Sequence, residues 1–141
     1  MLAVGAVGAL SLTAFSLAST RTTTWTAALT AAQEVPKQVV KVPAAHGQFK
    51  GTLSGSKLKW TLTFAKLSGP VSGGAHIHMG AMGKAGNVVV VLCAATCKSG
   101  VTGTANINAA LQTAFKKHLL YVNVHTAKNP HGEIRGQLAA G

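Results

Sequence analysis

The octapeptide KLKWTLTF, Lys57 to Phe64, alternates without a break: Leu58, Trp60, Leu62 and Phe64 fall on one face, and Lys57, Lys59, Thr61 and Thr63 on the other. A period of two is that of a half-buried antiparallel strand, with one face on a core and one in water. Shorter runs of the same kind are TTWTAALTAA around Trp25, HGQFKGTLS from His46, NVVVVLC from Asn87, VTGTANI from Val101, LLYVNVHT from Leu119 and GEIRGQLAA from Gly132. The glycine-rich breaks LSGS, LSGPVSGG, GAMGKAG and KSGVTG separate most of them. Many short strands with turn residues between them predict an all-β fold, a Greek-key antiparallel β-sandwich or barrel. The four prolines fall in connections or at a strand entrance, where a missing N–H does little harm.

One segment departs from this period. In NAALQTAFKKHLL, Leu111, Ala114, Phe115 and His118 repeat at helical spacing, Asn108 is placed to cap the start, and Lys116 and Lys117 sit at the C-terminal end. The pattern predicts one short helix, Asn108 to His118, lidding an end of the sheets. No internal repeat or linker interrupts the chain, so residues 19–141 are read as one domain.

Residues 1–18 read differently. From Leu2 to Ala18 they are apolar or small and uncharged, and Ser16-Leu17-Ala18 has the small-x-small form of a signal-peptidase site. The expectation is a signal peptide over 1–18 and a secreted or cell-surface domain. A retained anchor is the competing reading, at the short limit of a spanning helix, and only then is a membrane a partner.

Charge narrows the partners. Thirteen basic and two acidic residues give a formal net charge of +11, the acids being Glu34 and Glu133. Such a chain is drawn to anionic cell-wall or extracellular polymers. Its lysines are scattered, with no aromatic-lined basic groove, so no nucleic-acid partner is expected. Cys93 and Cys97, in LCAATC, are the only cysteines. In an oxidising compartment they predict a small disulfide closing a turn, with a thiolate metal site as the alternative.

The histidines carry the chemistry. His76 and His78 flank Ile77 in AHIHM, so on a strand both imidazoles leave one face with about 7 Å between their Cα atoms. In LYVNVHT, Tyr121, Asn123 and His125 share a face while Val122 and Val124 take the other; in GEIRGQL, Ile134 and Leu138 alternate with Glu133, Arg135 and Gln137. If these strands are neighbours, His76, His78 and His125 meet as a three-imidazole site, which suits copper, with zinc as the alternative. Met79 or His131 would supply a fourth ligand. Tyr121, Asn123, Glu133 and Arg135 would then form the surrounding shell that orients the imidazoles. The plainer reading leaves each histidine structural, with His125 bonded to a backbone carbonyl in a buried polar network. His46 and His118 are read as surface or helix-end residues.

Absences exclude other chemistry. There is no carboxylate pair for glycoside hydrolysis, no aspartate for a Ser-His-Asp triad and too few acids for an oxygen-rich calcium site. Neither HExxH nor a phosphate-binding glycine motif is present.

The order LTAAQEVP, then AHIHMGAMGKAGNVVVVL, then YVNVHTAKNPHGEIRGQL resembles the CHRD domain and spans nearly all of the chain beyond the leader. The resemblance implies an exported all-β domain. The positions that match its motifs are Gln33, Glu34, Pro36, His76, His78, Gly80, Gly86, Tyr121, Asn123, His125, Gly132, Glu133, Arg135 and Gly136. His131 departs from them, standing where the family usually shows glycine. The H-x-H strand also looks like the metal-binding strand of copper/zinc superoxide dismutases, which share a Greek-key plan. Their zinc site uses an aspartate that this chain lacks, so a two-metal dismutase is excluded while a single copper site survives. Three readings follow: an exported protein binding one metal ion, a cationic adhesion protein whose histidines serve the fold, and a dismutase-like copper enzyme.

Overall fold

The computed structural model describes residues 20–141. The leader expected over 1–18 lies outside the described residues. The strands are β1 (Thr22–Thr30), β2 (His46–Ser54), β3 (Lys57–Ala65), β4 (Val71–Met79), β5 (Val88–Cys93), β6 (Val101–Asn106), β7 (Leu120–Thr126), β8 (Ile134–Gln137) and β9 (Ala139–Ala140). Eight of them follow the order β5-β4-β7-β8-β1-β2-β3-β6, every pairing antiparallel, and β9 pairs with β1. The two edge strands β5 and β6 come back into contact, so the sheet is a nearly closed barrel.

The alternating residues fill that barrel. Leu58 and Leu62 of β3 are fully buried with Phe49 of β2 and Leu29 of β1, while Lys57, Lys59, Thr61 and Thr63 stay exposed. Bulk is set against its absence: Trp60 pairs with Gly51 on one side and Gly103 on the other, and a Cβ at Gly103 would run into the indole. Val122 and Val124 of β7, Ile77 of β4 and Ile134 of β8 close the interior at the other end of the strand order.

The helix α1 (Ala109–Lys116) starts as expected, with the Leu111 N–H donating to Asn108 Oδ1 at 2.9 Å. It ends earlier than the apolar spacing predicts. Lys117 is its C-cap and His118 turns to a φ of +55°, which ends the helical run. Phe115 is buried with its ring centroid 5.0 Å from that of Trp25, so the helix covers one end of the barrel.

Two strand boundaries also differ from expectation. β4 takes in Val71 to Gly74, read from the sequence as part of a break. Gly73 and Gly74 adopt φ of +80° and +86°, and the pairing with β7 shifts between Val71 and Ala75. The glycines therefore make a bulge within the strand rather than ending it. The run GEIRGQLAA divides at Leu138, whose N–H donates to Leu120 O before the chain pairs with β1 as β9.

All seven residues of β7 are buried, the polar face included. That outer face of β4, β7 and β8 is covered by the segment following β1, tied down by Glu34 to Asn123 and by Asn129 to Val40, and by the loop between β4 and β5, held by Ala81 O to Arg135. The sheltered polar layer between barrel wall and loops is where the histidines lie.

Candidate metal centre

His76 and His78 leave β4 on the outer face while Ile77 between them is fully buried inside. β7 lies beside β4 and contributes His125 to the same layer. The ring centroids are 5.6 Å apart for His76–His78, 5.1 Å for His76–His125 and 5.9 Å for His78–His125. One nitrogen from each ring lies within 4.8 Å of the others. The three imidazoles do converge.

Backbone carbonyls set their orientation. The Nδ1–H of His78 donates to Gly86 O at 2.9 Å, and that of His125 to Pro130 O at 3.0 Å. With Nδ1 carrying the proton, each Nε2 keeps its lone pair. Both Nε2 atoms are buried without a hydrogen-bond partner, and so is Nδ1 of His76. Buried polar atoms are ordinarily bonded, and three orphaned nitrogens in one cluster make a donor set rather than a satisfied network.

Burial also keeps the rings neutral. Desolvation lowers the affinity of all three for protons, and His125, beside His76 and His78, is brought down to about 4. No proton then competes for the lone pairs at neutral pH. The donors are all nitrogen, because the two acids are engaged elsewhere, and such a set fits copper or zinc rather than calcium or magnesium.

The surrounding residues are only partly those expected. The Tyr121 ring stacks on His78 with centroids 4.9 Å apart and 9° between planes, and Arg135 places its guanidinium carbon 3.5 Å from the Tyr121 ring centre. Since β4 and β8 flank β7, Tyr121 is held between an imidazole and a guanidinium. Asn123 donates to Glu34 Oε1 and to Ile134 O, touching no imidazole through a hydrogen bond. Glu133 lies apart from the rings. It accepts from the Ser68 N–H and hydroxyl, Thr126 Oγ1 and Asn129 Nδ2, pinning the loop before β4 to the turn after β7. Those hydrogen bonds outweigh burial and hold its carboxyl below the usual range. The reason is positional: Glu133 precedes β8 and donates its own N–H to Val124 O, outside the alternation that places Arg135.

Neither expected fourth ligand joins the group. Met79, one residue beyond His78, points to the opposite face and packs against the core. His131 is exposed in the turn after β7. His46 and His118 are exposed, as read from their positions. Cys93 and Cys97 stand at disulfide distance with Cα atoms 6.2 Å apart, which fits an oxidising, extracytoplasmic compartment.

Sequence reasoning missed the Gly86 carbonyl on His78 and the partner of Asn123, whereas the backbone carbonyl considered for His125 is that of Pro130. Glu34 is fully buried, and desolvation pushes its carboxyl up to about 8 against the pull of Asn123 and Arg135. A signal was present: Glu34 and Gly86 both fall within the three quoted motifs.

Among known proteins, no curated protein and no solved structure matches the chain. The family model described as the CHRD domain matches residues 25–138, taking in every strand that carries the histidine cluster. By that match over most of its length, the chain belongs to the CHRD domain family.

Proposed function

We propose that this is an exported binding protein that holds one metal ion, copper in preference to zinc, on His76, His78 and His125. One observation carries the reading: one nitrogen from each of the three imidazoles lies within 4.8 Å of the others, and each ring keeps a buried nitrogen without a hydrogen-bond partner. Copper is favoured because it heads the affinity order of divalent ions for nitrogen donors. A bound copper ion would serve storage, delivery or redox protection, with the chain's own part being to keep the rings neutral, oriented and shielded. The test is titration of metal-free protein with Cu(II), Cu(I) and Zn(II) against competing chelators. One equivalent of copper should bind, and the triple replacement of His76, His78 and His125 by alanine should abolish it. Unchanged affinity in the triple variant would falsify the reading.

A second reading, adhesion to anionic polymers, has an observation of its own. Glu34 and Glu133 are both fully buried, so among the described residues no acidic side chain reaches the surface, while Lys50, Lys57 and Lys59 line the exposed face of β2 and β3. Retention on an anionic polymer should weaken with salt and ignore chelators.

A further inference from the structure

Over Arg135 and Gln137 of β8, a cleft of about 460 Å³ opens between the segment after β1 and the β4–β5 loop. Val35 and Lys37 line one wall, Met82 the other, and Arg135 and Gln137 are carried into it from β8. Its volume falls in the range of small-molecule sites, about 300–1,000 Å³.

Arg135 is 2% exposed and holds its NH2 group against Ala81 O at 3.1 Å, but its NH1 group is buried with no hydrogen-bond partner. Gln137 donates through Nε2 to Gly80 O and His118 O, which fixes its amide orientation, and its Oε1 is left buried without a donor. The floor therefore offers an unfilled cationic donor and an unfilled neutral acceptor. Glu34 acts on Arg135 through charge alone: its Oε1 accepts from Asn123, and it makes no hydrogen bond with the guanidinium. The Tyr121 ring and Ala81 O serve the rest of the guanidinium, but a buried donor without an acceptor is costly, and a carboxylate is the group whose geometry best matches a guanidinium. Lys37, exposed at the rim with Nζ on Ala32 O, adds positive potential at the entrance. Met82 is 77% exposed, so its wall lies at the mouth of the cleft.

We propose that this cleft binds a small hydroxylated organic carboxylate, its carboxylate taken by Arg135 with help from Lys37 and a hydroxyl donated to Gln137 Oε1. The inference does not depend on metal binding, since none of the three histidines lines the cleft.

The probe is glucuronate, titrated calorimetrically into metal-free protein at about 0.15 M salt, where attraction to scattered surface lysines is largely screened. Glucuronate should saturate one site, and glucose, which lacks the carboxylate, should not bind. Lys37→Glu, an exposed change that leaves the core alone, should weaken binding at least tenfold; Arg135→Lys, which keeps the charge but loses the fork, should do the same wherever it folds. The variant with all three histidines replaced should bind glucuronate as the parent does, which separates this site from the metal centre. The inference is overturned if glucuronate does not saturate, if glucose binds equally, or if Lys37→Glu leaves the affinity unchanged.

Discussion

His78 and Tyr121 are coupled twice. Their rings stack at 4.9 Å, and Tyr121 Oη accepts from the N–H of Gly86, the residue whose carbonyl receives the His78 Nδ1–H. The phenol thus supports the imidazole by its face and, through Gly86, by its edge. Tyr121→Phe keeps the stack and removes the link to Gly86. We expect a loss of about 1–2 kcal/mol in stability, the net worth of the bond accepted from the Gly86 N–H and the longer one donated to Gly86 O. Copper affinity should fall about tenfold, as when a group orienting a ligand is removed. Denaturant melts and competitive copper titrations check both; an unaltered copper affinity would show that the stack alone orients His78.

Alternation in the sequence made most of this visible. The face shared by His76 and His78, and that shared by Tyr121, Asn123 and His125, follow from period two, and the barrel brings the two faces together. The same rule places Met79 on the core side, so its exclusion from the cluster was legible as well. VSGG was not, because glycine marks a bulge and a break alike, and only the pairing on either side of Gly73 and Gly74 distinguishes them. The acceptors of the histidine N–H groups are main-chain oxygens, which every residue has, so no residue type announces them. Glu34 meets Asn123 across 89 positions of sequence, a contact that only the register of the closed sheet creates.

Glu34 makes stability depend on pH in a direction unusual for a carboxylate. Its folded value of about 8 lies above the ordinary 4.5, with burial as the main cause and Glu133 adding to it against Asn123 and Arg135. The folded state therefore holds a proton that the unfolded state releases from about pH 4.5 upward. This contribution to stability is full below pH 4.5 and declines as pH rises toward 8, by up to about 1.4 kcal/mol per pH unit. Glu34→Gln keeps an acceptor for Asn123 and cannot ionise. Urea melts from pH 5 to 8 should show the parent losing stability relative to Glu34→Gln; parallel profiles would mean that Glu34 is not protonated in the folded protein.

The cysteine pair bears on the histidines through one hydrogen bond. The Gly74 N–H donates to Ala95 O, inside the loop closed by Cys93 and Cys97, and Gly74 lies two residues before His76 on the bulge of β4. Replacing both cysteines by serine should lower stability by about 2 kcal/mol, in keeping with a short closed loop. By loosening the bulge it should also weaken copper binding more than it weakens glucuronate binding, because the floor of the cleft is on β8 and Lys37 on the segment after β1, with only the Met82 wall on the β4–β5 loop. Equal losses at both sites would point to a general loosening of the barrel instead.

Gly132 joins the buried acid to the histidine cluster. Its φ of +131° is one that residues with a side chain rarely adopt, and a Cβ there would lie within 2.7 Å of the Asn123 amide atoms and collide with Glu34 Oε2. The turn it ends also includes Pro130, whose carbonyl holds the His125 Nδ1–H. Gly132→Ala should therefore act on two readouts. Strain and the displaced Glu34–Asn123 bond should cost about 3 kcal/mol in stability, combining a strained backbone with a broken buried hydrogen bond. Movement of the Pro130 carbonyl should release His125 and weaken copper binding at least tenfold. Gly69→Ala, where an added Cβ meets nothing within 4 Å, is the control and should shift neither quantity. If Gly132→Ala is destabilised but binds copper as tightly as the parent, the Pro130 carbonyl is not what positions His125, and β7 alone sets that ring.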